Sequence, residues 1–362
     1  MESMGVNYEF WRGKRVLLTG HTGFKGSWLS IWLQSLGAEL VGYALPPPTN
    51  PSLFEQAQVD KTIVSIIGDI RDLQKLQSIF NKYKPEIVIH MAAQPLVRYS
   101  YQNPVETYST NVLGTVHLLE CVRNTPGVRV ILNITTDKCY DNKEWVWGYR
   151  ENEMLGGYDP YSNSKACAEL VSSAYRSSFF SPLDYAEHGV ALATARAGNV
   201  IGGGDWAKDR LVPDILAAFV QGKSAEIRNP SAIRPWQHVL EPLRGYLTLA
   251  EYLYREGTDY AEAWNLGPND VDAKPVGWIA QHMAKLWGSG ANWNIDQRSQ
   301  PHEAHFLKLD ISKARSRLNW RPKLSLEQSL SLVVDWAKQH QAGVNIRELT
   351  LNQIENYENL TG

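Results

Sequence analysis

Tyr161 and Lys165 stand four residues apart in "YSNSK", one helical turn, and so share a face of any helix that carries them. A lysine held beside a phenol favours the phenolate and lowers its pKa toward neutrality, which makes Tyr161 a usable base. Such a pair is common by chance. What gives it weight is its setting: it comes one strand–helix unit after "NITTDK" and well downstream of a glycine loop.

That loop, "LLTGHTGFKGSWL", places Gly20, Gly23 and Gly26 between an apolar run and a helical one. A strand that turns into a helix through glycines brings backbone N–H groups and a helix N-terminus to one point, where a pyrophosphate can be held. The spacing is GxxGxxG rather than GxGxxG, but its place after a first strand points to a dinucleotide site. The second strand offers only Tyr43 where an acidic residue usually meets the ribose, so NAD and NADP are not separated. Lys25 is placed to face a 2′-phosphate or solvent. Asp69, in "GDIRD", is placed to meet the adenine, while Asp72 suits the cap of the helix that follows.

Positioning these groups requires an alternating chain. "RVLLTG", "AELVGYAL", "TIVSIIGDI", "PEIVIHMAA", "VRVILNITT" and "GVALATARAGNVIG" read as six apolar strands separated by helical segments, one of them running through Gly114. This predicts an α/β fold, a doubly wound Rossmann-type parallel sheet covered on both faces. After about residue 200 the rhythm breaks into loop-rich, tryptophan-bearing sequence. The expected division is a dinucleotide-binding domain of 1–198 with about 235–264, and a smaller α/β lobe of 199–234 and 265–362. Thirty-six basic residues against thirty-eight acidic ones give no positive field for nucleic acid. The three cysteines lack a CxxC spacing and suit a reducing compartment. No signal peptide or bilayer-spanning run is evident, so a cytoplasmic protein without membrane attachment is expected. Most of the thirteen tryptophans are expected to pack in cores.

"TGHTGFKG", "HMAAQ", "TNVLGT", "TTDK", "YSNSK" and "ARAGNVIG" occur in an order that resembles the extended short-chain dehydrogenases/reductases, over roughly residues 10 to 335. Within them the chain resembles the nucleotide-sugar 4,6-dehydratases. "GHTGFKGSWL", "TTDKCY", "GNVIGGGDWA" and "RPWQHVLEPLRGYL" are most similar to the branch acting on CDP-glucose. The resemblance implies bound NAD as hydride acceptor and donor, with contacts from Gly20, His21, Gly23, Phe24, Lys25, Gly26, Asp69, Ile70, Ala92, Ala93, Gln94 and Asn111, and from Tyr161 and Lys165. Thr136 is then assigned to the C4 hydroxyl and Tyr161, and Asp137 to protonating the departing hydroxide. Lys138 stands where the dTDP-glucose enzymes carry glutamate. As the C5 base it needs a pKa depressed by burial or by a neighbour such as Lys165; otherwise it only screens charge.

For the nucleotide sugar, Asn199 resembles the family asparagine near the phosphates. Arg234 and Arg298 are candidates for bidentate phosphate contacts, Arg98 for a phosphate or a surface role, and His302 with Glu303 for closing the nucleotide pocket. Trp206 and Trp236 are open between stacking and packing, and His90 is expected to be structural. Helices 104–124 and 160–180 resemble those that pair as a four-helix bundle in family dimers, which implies a homodimer. A 4-epimerase, a dTDP- or GDP-sugar dehydratase and a non-catalytic NAD-sensing protein remain as alternatives; the Asp137–Lys138 pair favours dehydration.

Overall fold

The computed structural model describes residues 6–297 and 306–360. Arg298, His302 and Glu303 lie outside them.

Seven strands form one parallel sheet in the order β3, β2, β1, β4, β5, β6, β10. They are β1 (Arg15–Thr19), β2 (Glu39–Ala44), β3 (Val64–Ile67), β4 (Ile87–His90), β5 (Val130–Ile134), β6 (Ala191–Ala197) and β10 (Ala263–Leu266). The order reverses between β1 and β4, so a crevice opens at their carboxyl ends, where ligands lie in such sheets. Strands β1, β4, β5 and β6 are buried almost throughout because helices cover both faces, which explains their unbroken apolar sequence.

The core divides accordingly. One cluster joins helix Phe24–Ser35 (Trp28, Leu29, Trp32, Leu33) to helix Leu240–Glu256 (Leu243, Leu247, Leu253) on one face. A second joins Leu76, Ile79 and Phe80 of helix Leu73–Tyr83 to Leu118 and Val122 of helix Gly114–Arg123 on the other. A third, with Ile215, Phe219, Ile279, Met283, Leu330 and Val333, lies among the helices beyond residue 200. There, two short parallel pairs stand apart from the main sheet: β7 (Asn199–Ile201) with β9 (Trp236–His238), and β8 (Ala225–Ile227) with β11 (Trp293–Ile295). The final helix, Ile346–Glu358, returns to lie against helix Phe24–Ser35, where Trp32 meets Tyr357 edge-to-face and donates its indole N–H to Glu358.

Two expected elements are interrupted. The sixth strand breaks at Gly198, where a Cβ would lie 2.5 Å from the ring of Pro235; its tail leaves the sheet as β7. The helix through Gly114 is continuous but widens to a π-helical turn at Ser109–Leu113, between Pro104–Tyr108 and Gly114–Arg123. Such turns recur at functional sites, and this one carries Asn111, buried to 1% exposure.

Candidate active site

The glycine loop is shaped by contact. Gly20 has φ +79°, and a Cβ there would sit 2.8 Å from the Ala92 nitrogen beyond β4. A Cβ on Gly26 would sit 2.1 Å from the Gly20 carbonyl oxygen, so strand end and helix start meet backbone to backbone. Gly23 caps helix Phe24–Ser35 with no side-chain hydrogen bond. The first-turn N–H groups therefore lack a side-chain acceptor and are suited to a diphosphate. The chain after β4 is tied to this loop by Thr19, whose hydroxyl oxygen accepts from the N–H groups of Met91 and Ala92 at 3.1 Å.

Around the cradle, His21 turns its ring over Gly42 of β2, with Nε2 2.8 Å from Ser65 Oγ; burial lowers its pKa to about 4. Phe24 packs against the position of Gly202, and Ile70 is buried against Gly114. The Asp69 carboxylate is held by Arg71, with Arg71 Nη2 at 2.5 Å, which keeps its pKa low. Asp72, as expected, caps the next helix by accepting from Lys75 N. Lys25 is half-buried on the catalytic side of the cleft. Its ammonium is 5.9 Å from the Tyr246 ring, and burial together with Lys165 and Arg210 lowers its pKa to about 7.

Asn111 links the cradle to the catalytic helix. Its Oδ1 accepts from Gln94 N at 2.8 Å, and its Nδ2 donates to Gln94 O at 3.1 Å and to Ser164 Oγ at 2.8 Å. Ala92 and Ala93 lead into Gln94, all half-buried. Behind them His90 is structural, its Nδ1 2.7 Å from Thr19 Oγ1 and its pKa lowered to about 3 by burial.

Helix Pro160–Ser178 begins at the site, capped by Asp159, whose carboxylate accepts from Ser162 N. Tyr161 lies in its first turn with Thr136 as a hydrogen-bonding neighbour. The expectation that Lys165 draws the phenol toward neutrality is not met. Burial pushes Tyr161 up to about 12, opposed by Thr136 and Arg210. Lys165 instead donates to the Ile134 carbonyl at 2.9 Å, and burial lowers its own pKa to about 8. Both ionised forms are costly in so dry a setting, and the desolvation outweighs the attraction.

Thr136 and Asp137 follow β5 in a tight turn, Asp137–Cys139. The Thr136 hydroxyl donates to Asp137 Oδ1 at 3.0 Å; Asp137 Oδ2 is buried without a partner. Burial raises the pKa of Asp137, while Lys138, Thr136 and Arg234 pull it back. The carboxyl can therefore hold a proton and has one oxygen unspent. Lys138 is half-buried beside it.

Arg234, buried to 8% exposure, donates to Ile233 O and is close enough to act on the charge of Asp137. Asn199 pairs with Trp236 across β7 and β9. Arg98 faces Asp209 at 3.8 Å, and Asp209 also meets Arg228 at 3.4 Å. Both open tryptophans pack: Trp206 lies edge-on to Trp336, and Trp236 joins the third core cluster with its indole N–H unpartnered. Arg210 escaped the sequence reading although it acts on both Tyr161 and Lys25. It comes from a loop without periodicity and is held by Asp205 at 2.9 Å.

Residues 17–333 match the family model described as GDP-mannose 4,6 dehydratase. The chain is 58% identical to CDP-glucose 4,6-dehydratase of Salmonella typhimurium over 356 residues, 98% of this chain and 99% of that one. It is 25% identical to dTDP-glucose 4,6-dehydratase of Haemophilus influenzae, over 89% of this chain and 97% of that one. Among solved structures, dTDP-glucose 4,6-dehydratase of Bacillus anthracis in complex with NAD superposes with a TM-score of 0.74 at 22% identity, covering 91% of this chain and 98% of that one. UDP-glucose 4-epimerase of Thermotoga maritima with UDP-glucose superposes at 0.76 and 22% identity, covering 90% and 99%. With its cradle, its Tyr–Lys helix and its Thr–Asp–Lys turn in one crevice, the chain belongs to the GDP-mannose 4,6-dehydratase family of nucleotide-sugar dehydratases.

Proposed function

We propose that this protein is an NAD-dependent CDP-glucose 4,6-dehydratase, which converts CDP-glucose to CDP-4-dehydro-6-deoxyglucose with loss of one water. The observation that carries dehydration over epimerisation is Asp137: a buried carboxyl with raised pKa and one oxygen unpaired, beside Thr136 and Tyr161. Epimerisation at C4 needs the tyrosine and lysine but no such acid. The choice of CDP-glucose is supported by the 58% likeness to the Salmonella enzyme of that name.

The residues present fit NAD. The closely packed Gly20–Gly26 cradle and the uncapped helix N-terminus suit its diphosphate, and the chain at Ala92, Ala93 and Gln94 borders the same crevice. When bound, NAD supplies the acceptor for the C4 hydride and returns it at C6. Tyr161 takes the C4 hydroxyl proton as that carbon is oxidised, with Thr136 orienting the hydroxyl. Lys165 would hold the nicotinamide ribose, and the positive charge of an oxidised nicotinamide there would offset the burial that raises Tyr161. The C4 ketone acidifies the C5 proton, which Lys138 removes and gives back to C5 once C6 has been reduced. Asp137 protonates the C6 hydroxyl as it leaves as water. Arg234 and Asn199 hold the diphosphate. Arg98 joins them by leaving Asp209; Arg298 and His302, outside the described residues, remain candidates for the same ligand.

We also propose the division into 1–198 with 235–264 for the cofactor and 199–234 with 265–362 for the nucleotide sugar. It is supported by helix Leu240–Glu256, which packs on β5 and β6. Among the described residues no helix is long and apolar enough to cross a membrane, and we place the protein in the cytoplasm, feeding deoxyhexose into surface polysaccharide. A homodimer through the helices around 104–124 and 160–180 is supported by the exposed Val105, Leu113, Leu170 and Phe179. Separate incubations with CDP-, dTDP-, GDP- and UDP-glucose, with and without NAD, followed by mass spectrometry, test the reading. Loss of one water from CDP-glucose is the expected result; unchanged mass in all four overturns it.

A further inference from the structure

Directly behind the catalytic groups lies an ion pair that the reaction does not consume. Glu169 stands four residues after Lys165 on helix Pro160–Ser178, one turn deeper on the same face. Its Oε1 accepts from the Thr135 hydroxyl; its Oε2 accepts from Thr194 Oγ1 at 2.7 Å and from Arg196 Nη2 at 2.8 Å. Both side chains of the pair are only 3% exposed. Arg196 continues the chain of contacts, donating from Nη1 to Tyr140 Oη at 2.8 Å and to Glu151 O at 2.9 Å.

The partners are arranged around one stretch of backbone. Lys165 grips Ile134 by its carbonyl, and Glu169 grips the next residue, Thr135, by its hydroxyl. Thr136 and Asp137 follow at once, and Tyr140, just past the turn, is held by Arg196. The corner that presents the acid is thus clamped before and after by a single buried pair. A buried ion pair is seldom retained for stability, since well-packed apolar residues usually serve as well.

We propose that Glu169, with Arg196, is a positioning residue of the dehydration: it registers the Thr135–Asp137 corner against Lys165. The inference rests on the function proposed above. Lys165 is faced by Glu169 from its own helix, by Cys139 from the turn after β5, by His90 from β4 and by Lys25 from the first long helix. Glu169 and Cys139 favour its charge, burial opposes it, and Cys139 is itself held as the neutral thiol by burial. Glu169 is therefore the anion on which the ammonium depends.

Glu169→Gln leaves Arg196 without its counter-charge and risks misfolding, so the deciding variant is Glu169→Gln/Arg196→Gln, which removes both charges together. Thr135→Val and Thr135→Ser separate loss of the hydroxyl from loss of the methyl. With CDP-glucose and NAD, kcat in the double variant is expected to fall on the order of 10²-fold, with KM within about threefold. The alkaline limb of its kcat/KM profile is expected about one pH unit lower than in the wild type. Thr135→Val should slow the enzyme in the same way, and Thr135→Ser should recover most of that loss. A folded double variant with wild-type kcat and an unmoved alkaline limb overturns the proposal. So does a loss confined to KM. A wild type that leaves CDP-glucose unchanged in the same assay defeats the functional reading instead, so the two failures are distinguishable.

Discussion

The Thr136 hydroxyl donates to one oxygen of Asp137 and leaves the other buried and unpartnered. Burial without a partner is unfavourable for a polar atom, and a substrate hydroxyl meeting Oδ2 would satisfy it. The contact also directs the carboxyl: Oδ1 is occupied from within the turn, so Oδ2 is the oxygen left to donate a proton.

Asp137→Asn keeps the shape of this turn but cannot deliver a proton. The variant should still oxidise C4, seen as absorbance of the reduced nicotinamide on mixing with CDP-glucose. Water loss should be slower by roughly 10²–10⁴-fold. Dehydration at the wild-type rate would remove Asp137 from the acid role.

Tyr161→Phe acts one step earlier. Without the phenol no group is placed to take the C4 hydroxyl proton, so the reduced-nicotinamide signal should itself fall by about 10²–10⁴-fold. Rapid signal growth with no product would assign the proton to another residue.

Gly23→Ala and Gly26→Ala should part company. A Cβ at Gly26 meets the Gly20 carbonyl oxygen at 2.1 Å, so the loop must open, with a stability loss of about 1–3 kcal/mol. At Gly23 the nearest atom is 3.5 Å away, and the fold should stand. Gly23 is the N-cap of the helix whose first-turn N–H groups suit the diphosphate, so NAD affinity should drop while the thermal midpoint without cofactor stays put. Calorimetry with and without NAD checks both; equal loss of midpoint in the two variants counts against the cradle.

Acid should destabilise the protein through histidines that burial keeps neutral. His21 is held at about 4, and His90 and His238 at about 3, against an ordinary 6.5. Between about 6.5 and about 4 the unfolded chain binds protons that the folded chain refuses. Stability therefore falls as pH falls through that window, by at most roughly 1.4 kcal/mol per pH unit for each histidine. Urea midpoints measured from about pH 7 down to about pH 5 should decline steadily; a flat series contradicts the neutral assignments.

Much of this was legible in the chain because it is local. The strand periodicity, the glycine turn, the Asp72 cap and the Tyr161–Lys165 pairing depend on residues a few positions apart. The break at Gly198 was hidden because its cause, Pro235, is distant in sequence. The lowered pKa of Lys25, near Tyr246 and the cations Lys165 and Arg210, arises from three separate segments. The high pKa of Tyr161 was missed for a different reason: helical spacing places a lysine near a phenol but says nothing of how dry both will be. Arg210 and Glu169 could have been noticed only as charges in segments that otherwise read as loop and helix face.

The helix that covers the back of the cradle is the last in the described chain: Glu358 meets Trp32 across 326 positions. During synthesis the first strand, loop and helix therefore leave the ribosome long before the surface that will sheathe Trp32 exists. Until then that tryptophan face is bare, and the nascent N-terminal unit is a natural client for a chaperone.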